Sequence, residues 1–322
     1  MEVKWMIALP GREITGYALS VWIAALLGAA LFCWQGRGLK RAARLWTLVL
    51  GIPLGLLGAR LYYVLARFDL FQEIGFENFF AAADEELRVW GAASGAGFWG
   101  AVGGVALGAW LAGKLSGERT ARLLDALAPS AALGIALSRF GEYAIGEGVG
   151  PDVTPEALWF FPMAVVNEWE EWKYALFLLE GIAGLVIFAL LMTRGRKLRA
   201  GYRARMFLIL YSACQILFEA LRRDNFLRWL FVRVSMVVSA VVLLGLLVFG
   251  VLRWLRKDPG SRAPGSQVIA CCVLFALTVG AVVALEFAVD KSPVLSLEAA
   301  YLLEALCCVV LGMTTWQVAM KN

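Results

Sequence analysis

The chain has no histidine in 322 residues. Histidine is the side chain whose unperturbed charge changes nearest neutral pH, and the commonest metal ligand. Its absence leaves a carboxylate, a tyrosine or a lipid-bound water as the proton acceptor in any acid–base chemistry. Charge is also scarce, at 17% of residues. The six cysteines (Cys33, Cys214, Cys271, Cys272, Cys307 and Cys308) lie inside apolar runs, and their adjacent pairs lack the C-x-x-C spacing of metal or redox sites. They read as small buried hydrophobes, and no metal or other cofactor is expected.

What remains is apolar: 61% hydrophobic residues and a mean hydropathy of +0.73. That is well beyond a soluble domain, and it describes an integral membrane protein. The apolar runs are ~20 residues long, twice what a membrane strand needs, so an all-α polytopic protein is expected rather than a barrel. Nine spans are predicted: 14–34, 45–66, 91–113, 123–143, 174–193, 206–221, 230–251, 268–288 and 297–317. The amino-terminal MEVKWMIALPGRE lacks a signal peptide's unbroken apolar core and small-residue cleavage site, so the first span is expected to persist.

Basic residues fall in alternate connections. Arg37, Lys40, Arg41 and Arg44 follow the first span, and Lys114, Arg119 and Arg122 the third. Arg194, Arg196, Lys197, Arg199, Arg203 and Arg205 follow the fifth; Arg253, Arg256, Lys257 and Arg262 follow the seventh. The positive-inside rule makes these loops cytoplasmic, with the amino-terminus outside and the carboxyl-terminus inside. This distribution accounts for the net charge of +5 and argues against nucleic-acid binding. One loop breaks the rule: Arg222, Arg223, Arg228 and Arg233 follow the sixth span on the outer side. Either that span is misplaced, or the arginines are kept there for a purpose such as binding lipid phosphate.

Two outer stretches, EIGFENFF and ALWFFPMAVVNEWEEW, are rich in aromatic residues that suit the membrane interface, as anchors or as a roof over a lateral entrance. The third span, GAASGAGFWGAVGGVALGAWLAG, has the glycine spacing of tightly packed helices. A functional alternative is that Gly91 to Gly97 is non-helical and turns its N–H groups toward an anion.

The densest charge beside lipid lies in Asp125–Glu147, DALAPSAALGIALSRFGEYAIGE, read as a helix that starts at an acid and a proline. It ends with Arg139, Glu142 and Glu147 within nine residues. Each such group costs roughly 2.5–3.5 kcal/mol to insert, so it persists only where it pairs or lines a polar cavity. Arg139 and Glu142 are an i,i+3 pair in helical register.

These residues resemble the prolipoprotein diacylglyceryl transferase family, whose G-R-x-G-N-F-x-N-G-E motif closes a span beginning D-x-x-A-P. Asp125-Ala-Leu-Ala-Pro129 and the run Ser138 to Glu147 fall in register with it. Residues 14–18, ITGYA, are similar to the family's R-W-Y-G opening, and Gly58-Ala59-Arg60 to its G-A-R-x-x-Y-V. Leu179-Glu180-Gly181 matches its L-E-G; Leu210 through Glu219 and Arg222 resemble its Y-G-x-x-R-F-x-x-E-x-x-R. The departures are specific. The family's H-G-G-x-x-G begins here at Gly95, its arginine is Gln215, and the two motif asparagines are Glu142 and Ile145.

The resemblance implies a seven-helix transferase-like domain over 1–258, with an extra two-helix membrane segment over 259–322. It implies a bacterial cytoplasmic (inner) membrane enzyme that takes diacylglyceryl from phosphatidylglycerol to the lipobox cysteine of a prolipoprotein signal peptide. Arg139, Glu142 and Glu147 are the candidate catalytic residues. Tyr17, Arg60, Gly95, Gly97, Glu219 and Arg222 are the candidate substrate contacts. Arginine suits a phosphate clamp because its planar fork bonds two oxygens at once; Glu142 or Glu147 would receive the thiol proton. Two other readings stay open. One is a phospholipid-binding relative with no reaction or another acceptor. The other is a transporter using intramembrane charges such as Glu286 and Glu304.

Overall fold

The computed structural model describes residues 6–9, 12–75, 79, 97–167, 169–194, 199–223, 227–229, 232–257, 265–288 and 297–321. Among them are nine helices long and apolar enough to cross a membrane. The helices in order are α1 (Gly16–Gln35), α2 (Arg41–Ala66), short α3 (Phe68–Ile74), α4 (Phe98–Ser116), α5 (Thr120–Glu142), α6 (Leu176–Arg194), α7 (Tyr202–Leu221), α8 (Val234–Lys257), α9 (Ser266–Ala288) and α10 (Leu297–Lys321). The chain is an all-α polytopic membrane protein. Its contacts divide into two units: residues 1–204 with 222–234, and residues 205–221 with 235–322.

In the first unit α5 packs against both α1 and α6, while α2 pairs with α4. Small residues decide these pairings. On α2 the buried stripe Ala43, Thr47, Gly51, Gly55, Ala59 and Tyr63 recurs every four residues, one face of a helix. It meets glycines of α4. A Cβ on Gly104 would lie 1.9 Å from the Leu54 carbonyl oxygen, and one on Gly108 2.6 Å from the Gly51 Cα. Gly103 has no heavy atom within 4 Å of its would-be Cβ. Gly104→Ala is therefore expected to cost about 1–3 kcal/mol of overpacking, and Gly103→Ala little. Thermal unfolding in detergent checks the contrast; equal losses would contradict it.

Within this unit Phe32, Leu39, Ala43, Ala109, Ala112, Leu123 and Ala126 form an apolar cluster. The second unit has its own core of Ile209, Ile216, Leu243, Leu247, Phe275, Leu311 and neighbours.

Helix boundaries differ from the predicted spans where local chemistry moves them. The helix of the third span, α4, runs to Ser116 and stops at Gly117, whose φ of 65° gives the left-handed C-terminal turn; residues 91–96, including Gly95, lie outside the described residues. The helix of the fourth span, α5, does not start at its acid and proline. It begins at Thr120, so Asp125 and Pro129 are interior. The Asp125 carboxylate instead accepts the N–H groups of Gly201 (2.6 Å) and Ala204 (3.0 Å).

Three two-stranded hairpins were not foreseen: β1 (Met6–Leu9) with β2 (Arg12–Thr15), β3 (Ala164–Val166) with β4 (Trp172–Tyr174), and β5 (Arg228–Trp229) with β6 (Val232–Arg233). The second aromatic stretch makes the middle one. Trp159 stacks on Trp172 at 5.9 Å, while Phe161 and Trp169 are 70% and 80% exposed. Lys173 bonds Asp152 and, at 3.0 Å, Glu171. The Asp152 bond raises the Lys173 pKa, and the Asn167 amide, with Lys173, lowers that of Glu171. The lysine's contribution is present below the ordinary lysine pKa and lost as pH rises through its raised value. The glutamate's is present above the ordinary carboxylate pKa and lost as pH falls through its lowered one.

Candidate functional site

The last turn of α5 carries Arg139 and Glu142 on one face, as the i,i+3 spacing requires. The helix then tightens through Tyr143–Ile145 and ends at Gly146, where φ is 69° and the chain turns left-handed. Glycine suits that conformation because it has no Cβ. A second such residue, Gly148 (φ 73°), lies so close to Glu142 that a Cβ there would approach its Oε2 to 2.5 Å. The backbone is thus drawn against the carboxylate.

Two other segments complete the site. Glu180 comes from the second turn of α6, where the adjacent Gly181 admits the Phe140 ring. Arg222 follows the last residue of α7 and belongs to the first unit. Arg139 Nη1 pairs with Glu142 Oε1, and Arg139 Nε with Glu180 Oε1 at 2.9 Å. Arg222 Nη2 meets Glu142 Oε2 at 3.0 Å, and its Nη1 lies 3.6 Å from Glu180 Oε2. Each glutamate therefore bridges both arginines. Side-chain exposures are 14% for Arg139, 4% for Glu142, 3% for Arg222 and 1% for Glu180. Charges this deep are tolerated because they compensate one another; removing one partner of such a pair costs about 3–5 kcal/mol.

Two arginines of the loop that departs from the positive-inside pattern, Arg222 and Arg233, find partners in this arrangement. The sixth span is where it was predicted, and Arg222 enters the quartet. Arg233 Nη2 donates to the Arg222 carbonyl at 2.7 Å, holding the segment in place.

Tyr17 lies in the first turn of α1, whose start is capped by Thr15 Oγ1 accepting from the Ala18 N–H. It is half-buried, packs near Gly141, and feels the charges of Glu142, Arg139, Glu147 and Arg222. Glu147 is half-buried just beyond the turn, and its N–H donates to the Glu142 carbonyl at 3.1 Å. Tyr17, Arg139, Glu142, Glu147 and Arg222 are thus brought together.

The remaining candidates are placed differently. Arg60 donates to the Phe79 carbonyl and lies over the rings of Tyr63 and Phe71, 5.3 and 5.6 Å from their centroids. Gly97 spends its N–H on the Ala59 carbonyl at 2.9 Å, and its Cα abuts the Tyr62 ring. That is helix packing rather than an anion nest. Glu219, in the second unit, accepts from Gln215 Nε2 at 2.6 Å. Glu180 was not among the candidates. Its signal was present: a lone acid in the otherwise apolar start of the span Leu176–Arg194, which lipid alone would penalise.

Chemically, the quartet offers two planar guanidinium forks, suited to a phosphodiester, among buried side chains. A family model described as prolipoprotein diacylglyceryl transferase matches residues 4–252, a range that stops before α9 and α10. Several similar proteins are named phosphatidylglycerol–prolipoprotein diacylglyceryl transferase. One from Frankia alni is 34% identical over 201 residues, covering 61% of this chain and 51% of that protein. This chain thus aligns with about half the length of the Frankia relative. One from Paenarthrobacter aurescens is 30% identical over 283 residues, covering 80% of this chain and 82% of that protein. A third, from Enterococcus faecalis, is 27% identical over 257 residues, with 77% and 86% covered.

Proposed function

The chain belongs to the prolipoprotein diacylglyceryl transferase family, and from that premise we propose that it transfers diacylglyceryl from phosphatidylglycerol to a lipobox cysteine of a prolipoprotein signal peptide. It acts as a multi-pass enzyme of the bacterial cytoplasmic membrane. The observation that carries the reading is the convergence of Arg139 and Arg222, both at family-motif positions, in one buried charged site.

The reaction divides among these residues as follows. The thiol sulfur attacks the glyceryl carbon that bears phosphate; a carbon–sulfur bond forms and the carbon–oxygen bond breaks. Glycerol phosphate leaves with the electron pair. Arg139 and Arg222 stabilise the charge that grows on the leaving phosphate. Glu147, the acid that closes the family motif just beyond Glu142, receives the thiol proton. Tyr17 donates to the headgroup from α1. Arg60 on α2 and Gly97 at the start of α4 support the site through the packing of those helices.

A second reading, a phospholipid-binding relative with another acceptor, is favoured by the missing histidine and by Gln215 at the motif arginine. The separating experiment uses purified protein, chain-labelled phosphatidylglycerol and a lipobox peptide. Label on the cysteine of the peptide is expected. Lipid binding without peptide labelling would support the second reading.

A further inference from the structure

We propose that Glu142 is a resident counter-ion of the phosphate clamp, a displaceable carboxylate that holds the seat of the donor phosphodiester and sets how tightly that anion binds. This rests on the transferase reading of the site. Two guanidiniums face two carboxylates here, so the quartet is neutral before any ligand arrives. A phosphodiester adds a negative charge to a buried site, where an uncompensated charge is costly. One carboxylate must give way.

The two are not equally free to move. Glu180 is 1% exposed on a helix turn locked by the Gly181–Phe140 contact. Glu142 is the last residue of α5, where the helix gives way to a tight turn. Its Oε2 rests against Gly148, at a point that any side chain there would occupy. It is also the carboxylate bonded to Arg139 Nη1 and Arg222 Nη2, one nitrogen from each fork. Two phosphate oxygens can replace the two carboxylate oxygens on those same nitrogens, since both anions present paired acceptors. After transfer, the returning carboxylate competes with the glycerol phosphate product and hastens its release.

The test is a titration of the full chain in phosphatidylcholine nanodiscs with phosphatidylglycerol, with soluble glycerol phosphate in a parallel arm. Glu142→Gln and Glu142→Asn remove the competing charge and should bind phosphatidylglycerol at least about tenfold more tightly than the wild type. Glu142→Asp keeps the charge on a shorter stem and should fall between; it serves if the neutral variants fail to fold. A matching gain for glycerol phosphate would support a seat for any phosphate ester, and a gain for the lipid alone a seat that also needs the acyl chains. Unchanged or weaker binding in folded variants would overturn the proposal. Tighter binding by the variants, with no transfer to a lipobox cysteine by the wild type in a parallel assay, would support it and overturn the transferase reading. Absence of phosphatidylglycerol binding in every protein, wild type included, would overturn both.

Discussion

Arg139→Lys is expected to lower the transfer rate by roughly 10²-fold or more while the protein still folds, the scale seen when one preorganised donor to a developing anion is removed. The charge survives this change and the geometry does not. Arg139 uses Nη1 toward Glu142 and Nε toward Glu180, two directions fixed by one plane. An ammonium on a flexible stem supplies one point charge and cannot hold both directions rigidly. The folded fraction is read by size exclusion, and transfer by label on a lipobox peptide. A lysine variant within about twofold of the wild type would remove Arg139 from the clamp.

Glu147→Gln should abolish transfer, by roughly 10²–10⁴-fold, and leave phosphatidylglycerol binding unchanged. The amide is nearly isosteric but cannot take the thiol proton. The contrast with Glu142 gives the prediction its force. If Glu142 were the acceptor, Glu142→Gln would stop turnover and Glu147→Gln would not. With Glu147 as the acceptor, Glu142→Gln alters affinity first, because that carboxylate bridges both arginines. Measuring binding and transfer on both variants separates the two assignments. Full transfer by Glu147→Gln would exclude that residue.

Much of the architecture is legible in the sequence because hydropathy is a local property. Nine apolar runs became nine candidate spans among the described residues, with boundaries moved by single residues such as Gly117. The Arg139–Glu142 pair is local too, visible as an i,i+3 step. Other partners are not local. Arg222 lies 80 residues from Glu142, and neither chain distance nor composition shows that they meet. The misfit of Arg222 with the positive-inside rule is the one trace that this contact left in the sequence. Glu180 left a similar trace, an acid in an apolar span, but its partners depend on how α5 packs against α6. Asp125 misled for the opposite reason: an acid followed by proline resembles a helix start, whereas its carboxylate serves the 201–204 turn. The hairpins escaped notice because their strands are two to four residues long, too short for a period-2 pattern to register.

The most direct test of the central claim is complementation. The chain is expressed in a bacterium depleted of its own diacylglyceryl transferase, with membrane insertion verified, and labelled lipid is followed into lipoproteins. The account predicts labelled lipoproteins and restored growth from a chain with no histidine, and loss of both with Arg139→Lys. An inserted wild-type chain that labels no lipoprotein, neither those of the host nor one co-expressed from a close relative of its own source, would contradict it.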